Sequence, residues 1–117
     1  MLGYVHGDLK FQNICYDHER EGYSLIDFAL VSKVFHKNGV HRVQEEVHHF
    51  YGNSMFASDA MINLKTTSRK DDLESLLYIM CYLYNGTLPV LEFINNKIDT
   101  FHMSKFLLAV LEFRRNN

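Results

Sequence analysis

Tyr4-Val5-His6-Gly7-Asp8-Leu9-Lys10-Phe11-Gln12-Asn13 is the stretch on which the reading of this chain turns. It sets Asp8, Lys10 and Asn13 at Asp-x-Lys-x-x-Asn spacing. Fourteen residues after Asn13 comes Asp27-Phe28-Ala29, preceded by the apolar pair Leu25-Ile26. Between them, Ile14 to Tyr16 and Tyr23 to Ile26 are short β-prone runs separated by the polar stretch Asp17 to Gly22. That pattern predicts a small β-hairpin with a charged tip.

Working outward, residues 31–58 have no sustained hydrophobic period, and a long irregular segment in a compact domain is usually functional or mobile. Lys37-Asn38-Gly39 reads as a turn between two extended arms. The second half is helical in pattern. Ser68 can cap a helix, with Asp71 three residues later in its first turn. Leu73, Leu76, Leu77, Met80, Leu83 and Tyr84 follow at helical spacing. Tyr78, Ile79, Cys81 and Tyr82 fill the remaining faces, and a helix that is apolar all round is expected to be buried all round. Tyr78, Tyr82 and Tyr84 are read as core. Asn85-Gly86 supplies a stop and Pro89 prevents resumption. A last helix is expected from about Thr100 to Phe113, with a stripe of Met103, Phe106, Leu107, Val110 and Leu111. A fully buried helix in so short a chain requires either an economical fold or neighbouring parts that are missing.

The chain has 117 residues, 47% of them hydrophobic and 22% charged, which suits one globular domain or part of one. Twelve Lys plus Arg against fourteen Asp plus Glu leave a formal charge of -2, so bulk electrostatics give no reason to expect nucleic acid as a partner. The most apolar run, Leu73 to Tyr84, contains Glu74 and falls short of the roughly 20 apolar residues of a membrane span, so no membrane partner is expected. Cys15 and Cys81 sit beside apolar or aromatic residues and are expected to be buried, reduced thiols. Without a visible secretory leader, a cytoplasmic or nuclear setting is expected. His36, His41, His48 and His49 crowd one segment. A zinc site there would lack a nearby Cys, and adjacent His48-His49 is poor chelating geometry, so solvated loop histidines are the expectation.

Taken in order, Asp8-x-Lys10-x-x-Asn13 and Asp27-Phe28-Ala29 resemble the catalytic loop and the metal-binding triplet of protein kinases. Tyr51-Gly52-Asn53-Ser54-Met55-Phe56-Ala57-Ser58 and Ser68-Arg69-Lys70-Asp71-Asp72-Leu73-Glu74-Ser75 look like signatures of the casein kinase 1 family. Gly86-Thr87-Leu88-Pro89 matches the segment after that family's central helix, and His6-Gly7-Asp8 is similar to the spelling in the vaccinia-related kinases, near relatives. The resemblance covers roughly residues 1–90. It implies an α+β, mainly α fold: a protein-kinase-like C-lobe with a small β-hairpin and a buried central helix, the N-lobe being absent. Residues 1–117 would be a partial kinase domain, with the catalytic loop and metal-binding triplet in 1–30, the activation segment in 31–58 and the helical part in 59–117.

Phosphoryl transfer asks mostly for positioning and charge neutralisation. Asp8 would accept or orient the substrate hydroxyl, and Lys10 would reach the transferring phosphoryl group. Asn13 and Asp27 offer the hard oxygen ligands suited to Mg²⁺ between the phosphates of ATP. By resemblance Asp72 is a buried anchor that holds the backbone of the catalytic loop, while Asp71 is the first-turn acid favoured by the helix dipole. Arg69 and Lys70 would form a substrate platform for an acidic or phosphorylated protein. Met55 stands where the family usually has Arg, which weakens a phosphate pocket. Gly7 replaces the Arg that commonly pairs with a phosphorylated activation segment, so that switch is not expected. Ala29 replaces a Gly and resists the backbone angles that Gly permits. The glycine-rich loop, strand lysine and helix glutamate of a complete kinase are not found, and no room for them is expected before residue 6. The implied function is therefore a serine/threonine protein kinase C-lobe, dependent on a missing N-lobe or partner protein for ATP and Mg²⁺ use. The alternative is a non-catalytic, pseudokinase-like protein-interaction module.

Overall fold

The computed structural model describes residues 2–89, together with Glu112, Arg115 and Asn116. Four short strands, β1 (Tyr4–Val5), β2 (Ile14–Asp17), β3 (Gly22–Leu25) and β4 (Ser32–Lys33), precede two helices, α1 (Asp59–Ile62) and α2 (Arg69–Asn85). The last helix expected from about Thr100 to Phe113 lies, Glu112 apart, outside the described residues. Among the described residues no helix is long and apolar enough to cross a membrane.

The expected hairpin forms as β2 paired antiparallel with β3, in the register Ile14↔Leu25 to Asp17↔Gly22. Its tip is closed by Asp17, whose Oδ1 accepts the amides of Glu19 and Arg20 at 3.0 and 3.1 Å. The hairpin stands largely in solvent, which corrects one expectation: Cys15, on its outer side, is exposed rather than buried, while Cys81 is half-buried.

β1 pairs antiparallel with β4 through Tyr4↔Lys33 and Val5↔Ser32. The chain continues from β4 into two extended arms, with Val34 N–H donating to Gly3 and Arg42 N–H donating back to Val34. The turn between them falls at residues 37–39 as expected. Gly39 adopts φ +80 and donates to His36, and Asn38 Oδ1 accepts the Val40 amide at 3.1 Å. Farther on, Val47 N–H donates to Leu64 and Thr66 N–H to Glu45, around a Glu46↔Lys65 bridge. The long aperiodic segment is thus tied down at both ends by backbone pairing that a local pattern does not show.

α2 begins as predicted. Ser68 is the N-cap, and its N–H donates to Asp71 Oδ2 at 2.7 Å. It ends at Gly86, which takes the left-handed conformation (φ +74) and donates to Tyr82. The expectation that the helix is buried all round is corrected. Only Asp71, Ser75 and Ile79, one stripe at four-residue spacing, are buried. Leu73, Leu77, Met80 and Leu83 are more than half exposed, and Tyr84 is almost wholly so at 91%. The short strands and α1 cover a single face, and the described residues contain no further layer to cover the opposite one. Tyr78 and Tyr82 do pack on the core, whereas Tyr84 does not.

The core that positions the site is formed by Leu9, Phe56, Ile79 and Leu88, with Phe11, Ile14, Met55, Tyr78, Cys81 and Tyr82 packed against it. Phe11, Phe56 and Tyr82 meet mutually, with ring centroids 5.2 to 6.0 Å apart. Such edge-to-face contacts add to simple burial. They join the Asp8–Asn13 loop, the 51–58 segment and α2 in one cluster.

Candidate active site

The loop carrying Asp8 is held from beneath by α2. The amides of His6 and Gly7 donate to Asp72 Oδ2 and Oδ1 at 2.7 and 3.0 Å. Both carboxylate oxygens are therefore used on backbone donors that would otherwise be costly to leave unpaired. The expected burial is reversed between the two neighbouring acids: Asp72 is half-buried, and Asp71 is the fully buried one at 2% exposure. Asp71 turns back under the helix start, taking the Ser68 amide and lying 3.4 Å from Lys70 Nζ. Both acids are thus bound to specific donors, and the difference lies in which loop each one holds.

His6 is buried, with its Nδ1 accepting the Asp8 amide at 3.2 Å and its Nε2 lying 3.0 Å from the Ile26 carbonyl. An amide only donates and a carbonyl only accepts, so these partners place the ring proton on Nε2. The ring thereby links the Asp8 loop to the residue before Asp27. Gly7 has φ +80, and a Cβ there would come 3.1 Å from the Leu30 carbonyl oxygen. That backbone disfavours any side chain at this position, arginine included.

Asp8, Lys10 and Asn13 are brought together. Asp8 Oδ2 lies 3.4 Å from Lys10 Nζ and 3.4 Å from Asn13 Nδ2, which also donates to the Asp8 carbonyl at 2.9 Å. Asp8 Oδ1 faces Asn53 Nδ2 at 3.2 Å. The Asp8 side chain keeps 13% exposure, so it is constrained but reachable. Asp27 stands differently. It is exposed, in the left-handed region at φ 60, with Oδ1 accepting the Ala29 amide at 3.2 Å. Its carboxylate is bonded to its own loop, not to the Asp8 group. The backbone still brings it near Asn13, because Ile26 N–H donates to the Asn13 carbonyl at 3.0 Å.

The donor set fits Mg²⁺ in kind. Asn13 spends its Nδ2 on Asp8, so its amide oxygen is left for another ligand, and Asp27 has its second carboxylate oxygen away from the Ala29 bond. Among the described residues no three His, Cys, Asp or Glu side chains gather as a metal site, those of the histidine-rich segment included.

Beside the Asp8 loop lies a cleft of about 520 Å³, bordered by Gly7, Lys33, Arg42, Lys65 and Lys70, with Glu45 the acidic group on its wall. Lys70 is among the residues lining this cleft. The Arg69 guanidinium lies 5.5 Å over the Phe35 ring. Met55 packs on the core.

Three curated relatives resemble this chain over about three quarters of its length. A probable casein kinase I homolog from Encephalitozoon cuniculi is 31% identical over 77% of the chain. A casein kinase 1-like protein from Oryza sativa subsp. japonica and a probable serine/threonine-protein kinase from fowlpox virus are each 34% identical over 74%. Over this stretch the chain is similar to casein kinase 1-type protein kinases. It spans 28%, 13% and 29% of the lengths of these three relatives. No protein-family model matches it.

Within this family setting, sequence reasoning missed two features of the site. One is Asn53, which reaches Asp8 from a segment read only as a signature; an amide inside that signature, not apolar and not at a cap, was the available sign. The other is the Phe11–Phe56–Tyr82 cluster, whose members are scattered through three motifs.

Proposed function

We propose that this chain is the catalytic C-lobe of a serine/threonine protein kinase, transferring the γ-phosphoryl group of ATP to a protein hydroxyl when completed by an N-lobe. The observation that carries the reading is the constrained yet accessible carboxylate of Asp8, with Lys10 and Asn13 on one oxygen and Asn53 on the other. In this reading Asp8 takes or orients the proton of the substrate hydroxyl, and Lys10 contacts the phosphoryl group in transit. Asn13 and Asp27 would hold Mg²⁺, which supplies neutralisation of the phosphate charge. Asp72 keeps the loop in place by its two amide contacts. The cations along the neighbouring cleft, Lys70 among them, suit an acidic segment of a protein substrate, while Arg69 contributes through its packing on Phe35.

The test is a radiolabelled phosphate-transfer assay on this chain joined to the N-lobe of a relative, with Asp8→Ala and Asp27→Asn as variants. Transfer by the wild type, lost in both variants, is the expected outcome. Unchanged turnover in Asp27→Asn would remove it from the metal-holding role. The 117-residue chain alone should transfer no phosphate, because no lobe covers the nucleotide, water enters the site and positioning is lost.

A second reading rests on the outer face of α2, where Leu73, Leu77, Met80 and Leu83 are exposed together. An apolar patch of that kind marks an interaction surface. It supports a non-catalytic, protein-binding module if the completed chain fails the transfer assay.

A further inference from the structure

The histidine-rich segment takes no part in the reaction proposed above, yet three of its four histidines border the cleft beside the Asp8 loop. His36, His41 and His49 line it, while His48 does not. All three are exposed, as are the neighbouring Lys33, Arg42 and Lys70. Tertiary pairing brings them there. β4 sets Lys33 beside β1, His36 N–H donates to Val40 across the turn, and Val47 N–H donates to Leu64 just before Lys65.

At neutral pH the cleft is close to electrical balance. Glu45 stands on its wall, Glu46 holds Lys65 Nζ at 3.1 Å, and Asp71 lies 3.4 Å from Lys70 Nζ. Against these three acids stand the four cations Lys33, Arg42, Lys65 and Lys70, so among the described residues the net is one positive charge. With the three imidazoles protonated, the net becomes four. Imidazole is the side chain that ordinarily changes charge between about pH 5 and 8. The histidines therefore decide how strongly this cleft attracts an anion.

The groups around the rings allow this charge. His41 Nδ1 lies 2.7 Å from the Arg42 carbonyl, which only accepts, so the neutral ring carries its proton there and Nε2 is left to titrate. Charging His41 thus breaks no hydrogen bond at that nitrogen. Its ring meets Phe35 edge-on, with the Arg69 guanidinium over the same Phe35. His49 meets the Tyr51 ring at 6.4 Å, and His36 is followed by Lys37 at the turn.

We propose that His36, His41 and His49 are specificity-determining residues that make the cleft's hold on a carboxylate-rich peptide depend on protons. Bound carboxylates favour the charged form of each ring, so the complex holds more protons than the separate partners. Affinity therefore rises as pH falls through the imidazole range. The rings are exposed, so the effect is moderate and weakens with salt. This deepens the substrate surface of the proposed kinase, and it rests on that reading only for its consequence in catalysis.

The test is fluorescence anisotropy of a labelled hexaglutamate peptide with the 117-residue chain, from pH 7.5 to 5.5 at constant ionic strength. Glutamates stay charged over this range. A Gly-Ser peptide of equal length is the control. The Kd for hexaglutamate should fall about tenfold between pH 7.5 and 5.5. The triple variant His36→Gln, His41→Gln, His49→Gln should bind like wild type at pH 7.5 and change less than about twofold on acidification. His48→Gln should keep the full wild-type response. His6 is unchanged in every variant, so its titration is common to all of them. A wild-type Kd that does not move with pH, no binding at either pH, or a triple variant that keeps the response overturns the proposal.

Proton NMR of the imidazoles gives a second measurement, which decides the matter if the triple variant does not fold. Hexaglutamate should raise the titration midpoints of His36, His41 and His49 and leave that of His48 in place; equal shifts at all four, or none, count against the proposal. Neither measurement uses ATP or an N-lobe. If the completed chain transfers no phosphate, the kinase function falls and proton-dependent binding is still decided.

Discussion

On one face of α2, Asp71, Ser75 and Ile79 are buried and Asp72 reaches the amides of His6 and Gly7. On the opposite face, Leu73, Leu77 and Leu83 are 56 to 67% exposed. The more polar face is the one that packs. Hydrophobicity made both faces candidates for burial, but only one had donors, aromatic rings and a loop within reach. The Asp71 and Asp72 carboxylates are tolerated there because each meets specific N–H groups. The leucines opposite meet no comparable layer among the described residues. Burial on this helix is decided by what the rest of the fold brings to it.

The sharpest way to break this comparison is at the inner cluster. Phe56→Ala should cost about 3–5 kcal/mol, since it removes a fully buried ring that packs on both Phe11 and Tyr82. Urea unfolding tracked by circular dichroism measures it, and a cost close to that of a surface change would show that the cluster is not the organising core.

Asp72→Ala should cost about 1–3 kcal/mol, because the His6 and Gly7 amides lose their acceptors. Asp71→Ala should cost a similar amount, about 0.5–2 kcal/mol, through the lost contact to Ser68 at the helix start. Hydrogen exchange separates the two. Asp72→Ala should expose the amides of His6 and Gly7, and Asp71→Ala that of Ser68. If Asp72→Ala leaves His6 and Gly7 protected, the helix is not what holds the loop.

Lys65→Met removes the pair with Glu46, whose side chain is 85% exposed, and should cost about 0.2–1 kcal/mol at low salt. The difference from wild type should shrink as salt is added. An effect that survives at high salt would assign the stabilisation to the backbone bridge beside the pair.

On the outer face, Leu77→Lys should change stability by no more than about 0.5 kcal/mol. It should also reduce self-association of the chain in sedimentation experiments. A cost approaching that of Phe56→Ala would mean that this face is packed in solution, and the contrast between the two sides of α2 would disappear.

Much of the local structure was legible in the residues themselves. The hairpin of β2 and β3 comes from two β-prone runs around a polar tip, the turn at residues 37–39 from Asn38-Gly39, and the limits of α2 from Ser68, Asp71 and Gly86. Each depends on groups a few positions apart, so composition and spacing contain the relevant physics. The order and spacing of Asp8, Lys10, Asn13 and Asp27 can likewise be read without any knowledge of the fold. The tertiary structure alone decided that Asp71 is more buried than Asp72, that the leucines of α2 face outward, that Arg69 lies over Phe35, and that Asn53 reaches Asp8. These outcomes depend on partners far along the chain: Asp72 on His6, 66 residues away, and Asn53 on Asp8, 45 away. Contacts at such separations are set by how whole elements pack, and no local propensity encodes them.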